Sequence, residues 1–217
     1  MKIEIVRHIG FEELVRKLKQ VPLKKTTEEE RDVLVYEEAN ITLKRLTHDQ
    51  VNPPTFYLLR HNLDFQRDLR EQLLSNYSID TLNLSEALEI RNEKNEIWTL
   101  TPPIMEVTSR NVRYVKQEGE IDHENDSLNI NIPLICDGAH RVALARSLDM
   151  EFNAVYISGV NHAYPYYAHP NGWDRVKVVE SVPSSMKEKK LYRVSNPYSL
   201  YRNFDIIGCG KPRFVGS

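Results

Sequence analysis

Cysteine is scarce in this chain: Cys136 and Cys209 are the two that occur, and neither sits in a C-x-x-C pair. A disulfide framework is thereby excluded, and a reducing, cytoplasmic setting is the expectation. Long apolar runs are missing too. No window approaches the roughly 20 apolar residues that span a bilayer, and the opening MKIEIVRHIGFEEL lacks the apolar stretch of a signal peptide. Nor is there an excess of either charge. The 29 Lys and Arg nearly balance the 31 Asp and Glu, for a net charge of -2. Domains that live on the nucleic-acid backbone are usually basic overall, so this balance argues against one. Internal repeats and low-complexity tracts are absent as well. What remains is a chain of 217 residues, long enough to bury a real core as one domain with additions or as two small ones.

The periodicities point to an α+β protein. Met1 to Val6 alternates as a strand. Apolar residues at 11, 14, 15, 18 and 21 keep the helical period until Pro22 stops it. Thr26 and Thr27 ahead of Glu28–Glu30 predict a helix start and a helix to about Asn40, although Val33-Leu34-Val35 also suits a strand. Strands are expected at Ile41–Leu46, Ile79–Leu84, Ile104–Val107, Leu128–Cys136, Phe152–Val160 and Trp173–Val179, with a short helical turn at Leu84–Leu88. Leu63, Phe65, Leu69, Leu73 and Leu74 mark an amphipathic helix over Asn62–Tyr77. The polar, acidic QEGEIDHENDS reads as a hairpin tip.

The stretch IPLICDGAHRVALARSLDM, Ile132 to Met150, carries the strongest signal. A buried strand runs into Asp137-Gly138-Ala139-His140-Arg141, and a helix begins at once. Gly138 lets a ligand approach the backbone without a Cβ in the way. The first-turn N–H groups of Ala139, His140 and Arg141 point outward where anions are held, with the helix dipole helping. Arg141 adds a planar fork matched to phosphate oxygens. Asp137 is a cap, a base, or a side chain orienting a metal. The competing structural reading is a capped strand-to-helix turn with His and Arg on the surface.

LTPPIMEV, then a hairpin, then LICDGAHRVALARSL and FNAVYI resembles the ParB/sulfiredoxin superfamily over roughly residues 79–160. Its members share a Pro-hydrophobic strand followed by a Gly-x-[HR]-Arg box that opens a helix. They include CTP-binding partition proteins, sulfiredoxin, free-serine kinases and nuclease-like proteins. Gly138, His140 and Arg141 match the box, and Pro103 and Ile104 match the strand motif. The resemblance implies a mixed sheet with helices and a box that binds nucleotide phosphates. Sulfiredoxin's catalytic Cys precedes the His-Arg pair, where this chain has Ala139, so reductase chemistry is not implied. Pro102 stands where partition proteins carry Gln, and neither their Glu-Asn-x-Gln-Arg motif nor a helix-turn-helix follows. Asp137–Arg141 matches the free-serine-kinase form of the box letter for letter.

The resemblance therefore implies a nucleotide-binding core at 79–160, an N-terminal helical elaboration at 1–78, and an aromatic-rich extension at 161–217. It implies phosphoryl transfer from a nucleotide (ATP or ADP, with CTP as the alternative) to a small polar acceptor, with Mg2+. Asp137, His140 and Glu106 are the candidate catalytic groups. Gly138, Ala139, His140, Arg141, Pro103 and Ile104 are the candidate phosphate site. His162, Tyr164, Tyr166, Tyr167, His169 and Trp173 offer a second wall on which a base could stack, or an aromatic cluster packed under a long loop. The metal ligands are left open. Glu118, Glu120, Asp122, His123, Glu124 and Asp126 are available, and a solvated loop tip is the plainer account of them. Arg193, Arg202, Lys211 and Arg213, interleaved with Tyr192, Tyr198, Tyr201 and Phe204, suit either nucleic acid or an acidic surface. A nuclease-like or nucleic-acid-binding module is thus the alternative function. No membrane partner is expected.

Overall fold

Strand alternation with apolar residues on both faces demands a layer on each side, and the structure supplies it. The computed structural model describes residues 2–24, 33–113 and 127–209. Along the chain lie β1 (Ile3–Ile9), α1 (Phe11–Lys19), β2 (Asn40–Leu46), β3 (Tyr57–Leu59), α2 (Arg60–Tyr77), β4 (Ala87–Asn92), β5 (Ile97–Leu100), β6 (Ile104–Arg113), β7 (Ser127–Asp137), α3 (Ala139–Ser147), β8 (Phe152–Ser158), β9 (Lys177–Val179) and the single turn α4 (Met186–Lys189). The class is α+β. The central sheet runs in the order β2-β8-β6-β7, with β6 and β8 parallel and the other neighbours antiparallel.

The two faces of that sheet have different covers. Met105, Ile135, Phe152 and Ala154 point toward α3, where they meet Val142 and Ala145. Ile41, Ile104, Val155 and Ile157 point the other way, toward Leu14 and Leu18 of α1 and toward Phe204 and Ile207 near the C-terminal end. A second sheet, β1-β4-β5, is antiparallel throughout and packs its Leu88, Ile90, Trp98 and Leu100 against Leu69 and Leu73 of α2. β3 and β9 form a small parallel pair beside the start of α2. Pro133 lies on the edge strand β7, where a residue without an N–H is tolerated, and its carbonyl accepts from Asn52 N–H at 2.9 Å.

Several expected elements change identity. Residues 25–32 lie outside the described residues, but 33–39 are not helical. Leu34 bridges Pro22 and Val35–Glu38 form a turn, because burial of Val35 and Tyr36 against α1 outweighs the helix-start signal. Ile79–Leu84 is the turn that follows α2, not a strand. Ile79 N–H closes the helix on Leu73 O at 3.1 Å, and Leu82 and Leu84 enter two different apolar clusters. The strand comes later, at Ala87–Asn92, where a helical turn was expected. Pairing to β1 on one side and β5 on the other decides it. Trp173–Arg175 is a 3-10 turn, so only Lys177–Val179 of that segment is strand. The acidic stretch with Glu118, Glu120, Asp122, His123, Glu124 and Asp126 lies outside the described residues, as do Lys211 and Arg213. Among the described residues no helix is long and apolar enough to cross a membrane.

Candidate functional site

The box sits where β7 ends and α3 begins. Gly138 has φ +84°, a left-handed conformation that L side chains rarely adopt. A Cβ there would lie 3.0 Å from Pro103 Cα, Pro103 Cβ and Arg141 Nη2. The Pro-hydrophobic motif and the glycine of the box are therefore halves of one contact, with Pro103 as the wall behind the turn. Ile104 is fully buried toward α1 and belongs to the core rather than to the cleft.

Gly138, not Asp137, is the residue that caps α3, and no side chain caps it. The Asp137 carboxylate instead accepts from Arg141 Nη2 at 3.1 Å. Arg141 is 4% exposed and its Nη1 donates to the Thr101 carbonyl. Its guanidinium thus ties the helix start to both the end of β7 and the segment before β6. Burial pushes Arg141 down from its usual value, and the charge of Asp137 opposes this. The expected outward fork is turned inward, where it supplies a donor to the carbonyl of the buried Thr101 and an ion pair to the partly exposed Asp137. The Arg141 N–H is also engaged, donating to Gly138 O at 2.9 Å. Ala139 leads the helix, where an N–H has no acceptor within the helix.

His140 Nε2 accepts from Leu59 N–H at 3.2 Å, which requires an unprotonated Nε2 and ties the box to the residue that precedes α2. A cavity of about 90 Å³ lies against the turn. Asp137, Gly138, His140 and Arg141 form one side of it. Phe65 and Gln66 of α2, Trp98, Thr99 and Leu100 of β5, and Cys209 close the other. Burial, with the Asp137 charge adding, pushes the Cys209 thiol up to about 12, so it faces the cleft as a neutral thiol.

Glu106 is elsewhere. It is 2% exposed and lies on the α1 side of the sheet, opposite α3, because it follows Met105 in the strand alternation. Its carboxylate accepts from Arg202 Nε at 2.9 Å, Arg202 Nη2 at 2.8 Å and Tyr36 Oη at 2.9 Å. The expectation that it points into the box cleft is corrected by this pairing. Cys136, beside it, is half-buried, and burial raises its thiol well above the usual value. It packs against the α1-side core as a small apolar residue.

Among the described residues, the aromatic side chains after β8 do not gather into one wall, and none of them lines the box cleft. Tyr166 and Tyr167 pack on Leu134 at the β7 edge, with ring centroids 4.5 Å apart. Tyr192 and Tyr201 pack tilted against Tyr167. Trp173 donates its indole N–H to the carbonyls of His48 and Val51 and lines a separate groove of about 330 Å³ between α2 and α3. Tyr164 lies partly buried against the α1-side core, His162 is exposed, and His169 N–H donates to Leu191 O at 2.8 Å. The sequence shows that these residues are aromatic and clustered. It does not show that satisfying β7 and the C-terminal segment takes most of them.

Phe65, Gln66, Trp98, Thr99, Leu100 and Cys209 are cleft residues that the motif alone does not reveal. One signal was available. Asn62, Gln66, Leu69 and Leu73 form the buried stripe of α2, so two polar residues interrupt an apolar face. Buried polar groups on a core stripe call for a partner.

The profile of the ParB CE domain matches residues 13–178. The chain belongs to the ParB CE domain family. No curated protein and no solved structure matches it. The ParB CE match takes in the box, Pro103, α2 and both sheets beyond β1, and it stops before Arg202 and Cys209.

Proposed function

We propose that this ParB CE domain protein binds a nucleotide with its phosphates at the start of α3. We further propose that it transfers a phosphoryl group to a small polar acceptor, as the likeness of the box to free-serine kinases suggests. One observation carries the reading. The left-handed Gly138, pressed against Pro103, leaves the first turn of α3 open to a cavity flanked by the Asp137 carboxylate. Phosphate oxygens would accept from the leading N–H groups of the helix, favoured by its dipole. Arg141 would act from behind, holding the turn and adding positive charge without touching the ligand.

Mg2+ fits the chemistry of the cleft. Among the described residues no three His, Cys, Asp or Glu side chains converge as a metal site. A nucleotide-borne Mg2+ needs only one or two carboxylates beside phosphate oxygens, and Asp137 is placed to be one. Such an ion would neutralise charge on the transferring phosphate. Asp137 would orient the ion or take the acceptor's proton, and His140 would position the α2 side of the cleft. Glu106 has no part in this reading, since it lies across the sheet. ATP or ADP is the nucleotide proposed, with CTP as the alternative. Two free thiols suit a reducing, cytoplasmic setting. A nucleic-acid-binding reading is less supported, because Arg202 is buried on Glu106 and Tyr192 packs on Tyr167.

The test is a thermal melt with ATP, ADP, CTP and GTP, each with and without Mg2+. A ligand at a hundredfold over its dissociation constant stabilises by about 2.7 kcal/mol. In a chain of this size that is a melting shift of roughly 5–10 °C. Phosphorus NMR with free serine as acceptor then checks transfer. If no nucleotide moves the melting temperature, the reading is lost.

A further inference from the structure

The groove between α2 and α3 has no part in the box chemistry. At about 330 Å³ it reaches the size of small-molecule sites, and it shares no lining residue with the box cleft. Its lining is mostly apolar. The buried Leu58 and Leu144 meet Leu63 and Trp173 there, and Val178 adds a side chain that is 43% exposed. The Trp173 ring is pinned by its edge, because its N–H donates to the carbonyls of His48 and Val51, each at 3.0 Å. The charged groups that line the groove are of one sign. They are Arg67 and Arg146, with no carboxylate beside them. Arg67 pairs with Asp64 on its own helix at 3.3 Å. Among the described residues Arg146 pairs with no carboxylate, and its guanidinium lies 5.8 Å from the centroid of the Trp173 ring. Other surface arginines are matched, Arg7 with Glu13, Arg45 with Glu151 and Arg60 with Glu180. An apolar concavity with an uncompensated cation beside it is complementary to an apolar body that bears a negative charge.

We propose that this groove is a second binding site, for a small amphiphilic carboxylate. The apolar body of the ligand lies against Trp173, Leu58, Leu144 and Val178. Its carboxylate accepts from the Arg146 guanidinium, whose planar fork matches two oxygens. Stacking over an indole face leaves the N–H edge of a guanidinium free for that role. α2, α3 and the β3–β9 pair with the turn before it all contribute lining residues, and a space of this size takes one small molecule. Leu63 belongs to α2 and Ala143 to α3, so an occupant touches both helices that flank the box. Bound ligand therefore stabilises the fold. The inference does not depend on the nucleotide reading and stands or falls apart from it.

The experiment titrates the full chain with octanoate, with octanol as the same body without charge, and with acetate as the same head without a body. Trp173 is one of two tryptophans and the other, Trp98, is buried, so tryptophan emission reports the groove. Calorimetry and melting accompany it. Octanoate should bind saturably, change the emission and raise the melting temperature. Octanol should bind about tenfold more weakly, the size of one hydrogen bond to a charged group, and acetate should give no response. Arg146→Gln should weaken octanoate about tenfold and leave octanol within about twofold. Ala143→Phe, which fills the groove from α3, should abolish binding of both. Should Ala143→Phe melt early, the Arg146→Gln comparison decides alone. No saturable octanoate binding, equal affinities for octanoate and octanol, or an octanoate affinity that Arg146→Gln leaves unchanged would each overturn the proposal. So would a change of oligomeric state in Ala143→Phe by light scattering, which would make the groove an interface between copies of the chain.

Discussion

Gly138 shows how much one residue can carry. Its φ of +84° and the three atoms 3.0 Å from its absent Cβ act together. The conformation alone costs an L residue about 1–2 kcal/mol. The clash adds to it, since Pro103 is backbone-anchored and Arg141 is held by Thr101 and Asp137. Gly138→Ala should therefore lower stability by about 2 kcal/mol or more, read as a drop in the urea midpoint with an unchanged slope. An unaltered midpoint would mean that the turn relaxes freely and that the box is not a rigid cradle. Arg141 teaches the complementary lesson. A cation in the box need not face the cleft. Its place in the sequence is the same whether it points out or in, and the Thr101 carbonyl and Asp137 carboxylate that it satisfies decide.

At the scale of elements, α2 is the piece that turns a bare helix start into a cleft. Its far end is anchored by Arg70, whose Nε and Nη2 donate to Asp80 at 2.8 and 2.7 Å. Burial raises the Asp80 pKa, but the Arg70 and Leu82 N–H bonds outweigh it and hold the carboxyl below its ordinary value. The sign follows from that depression. The pair's stabilisation is complete above the unfolded value near about 4 and is lost as pH falls through the lower folded value. Urea midpoints should thus fall more steeply below about pH 4 in the wild type than in Asp80→Asn, which should already be weaker at pH 7. Parallel curves would remove Asp80 from the account. The helical period of α2 is plain in the sequence, and so is the break of pattern after it. The identity of β4 is not, because its strand character depends on β1 and β5, which lie far away in the sequence.

Across the whole molecule, the C-terminal segment completes a fold that the family match leaves open. Arg202 is 1% exposed and reaches three carbonyls, those of Tyr164, Pro165 and Leu200, besides both oxygens of Glu106. It binds the aromatic loop and the tail to the first part of β6. Removing one partner of such a buried pair leaves an uncompensated charge, worth about 3–5 kcal/mol. Arg202→Leu should be destabilised on that scale, and Glu106→Leu in the same chain should restore much of the loss. The check is a double-mutant cycle by chemical denaturation, and strict additivity of the two changes would contradict the pairing. Nothing in the local sequence links Glu106 to Arg202. They are 96 residues apart and belong to no shared motif.

Local pattern was enough for the α+β class, the amphipathic helices α1 and α2, the strands of the central sheet, and the strand-to-helix turn at Gly138. Each of these is written in short-range periodicity or in the need of one residue for one backbone conformation. The tertiary structure alone decided which way Arg141 and Glu106 point, where the aromatic residues go, and which residues face the box. Those are questions of burial and of hydrogen-bond partners drawn from distant parts of the chain. A side chain's role there depends on what is left unsatisfied around it, which no local pattern records.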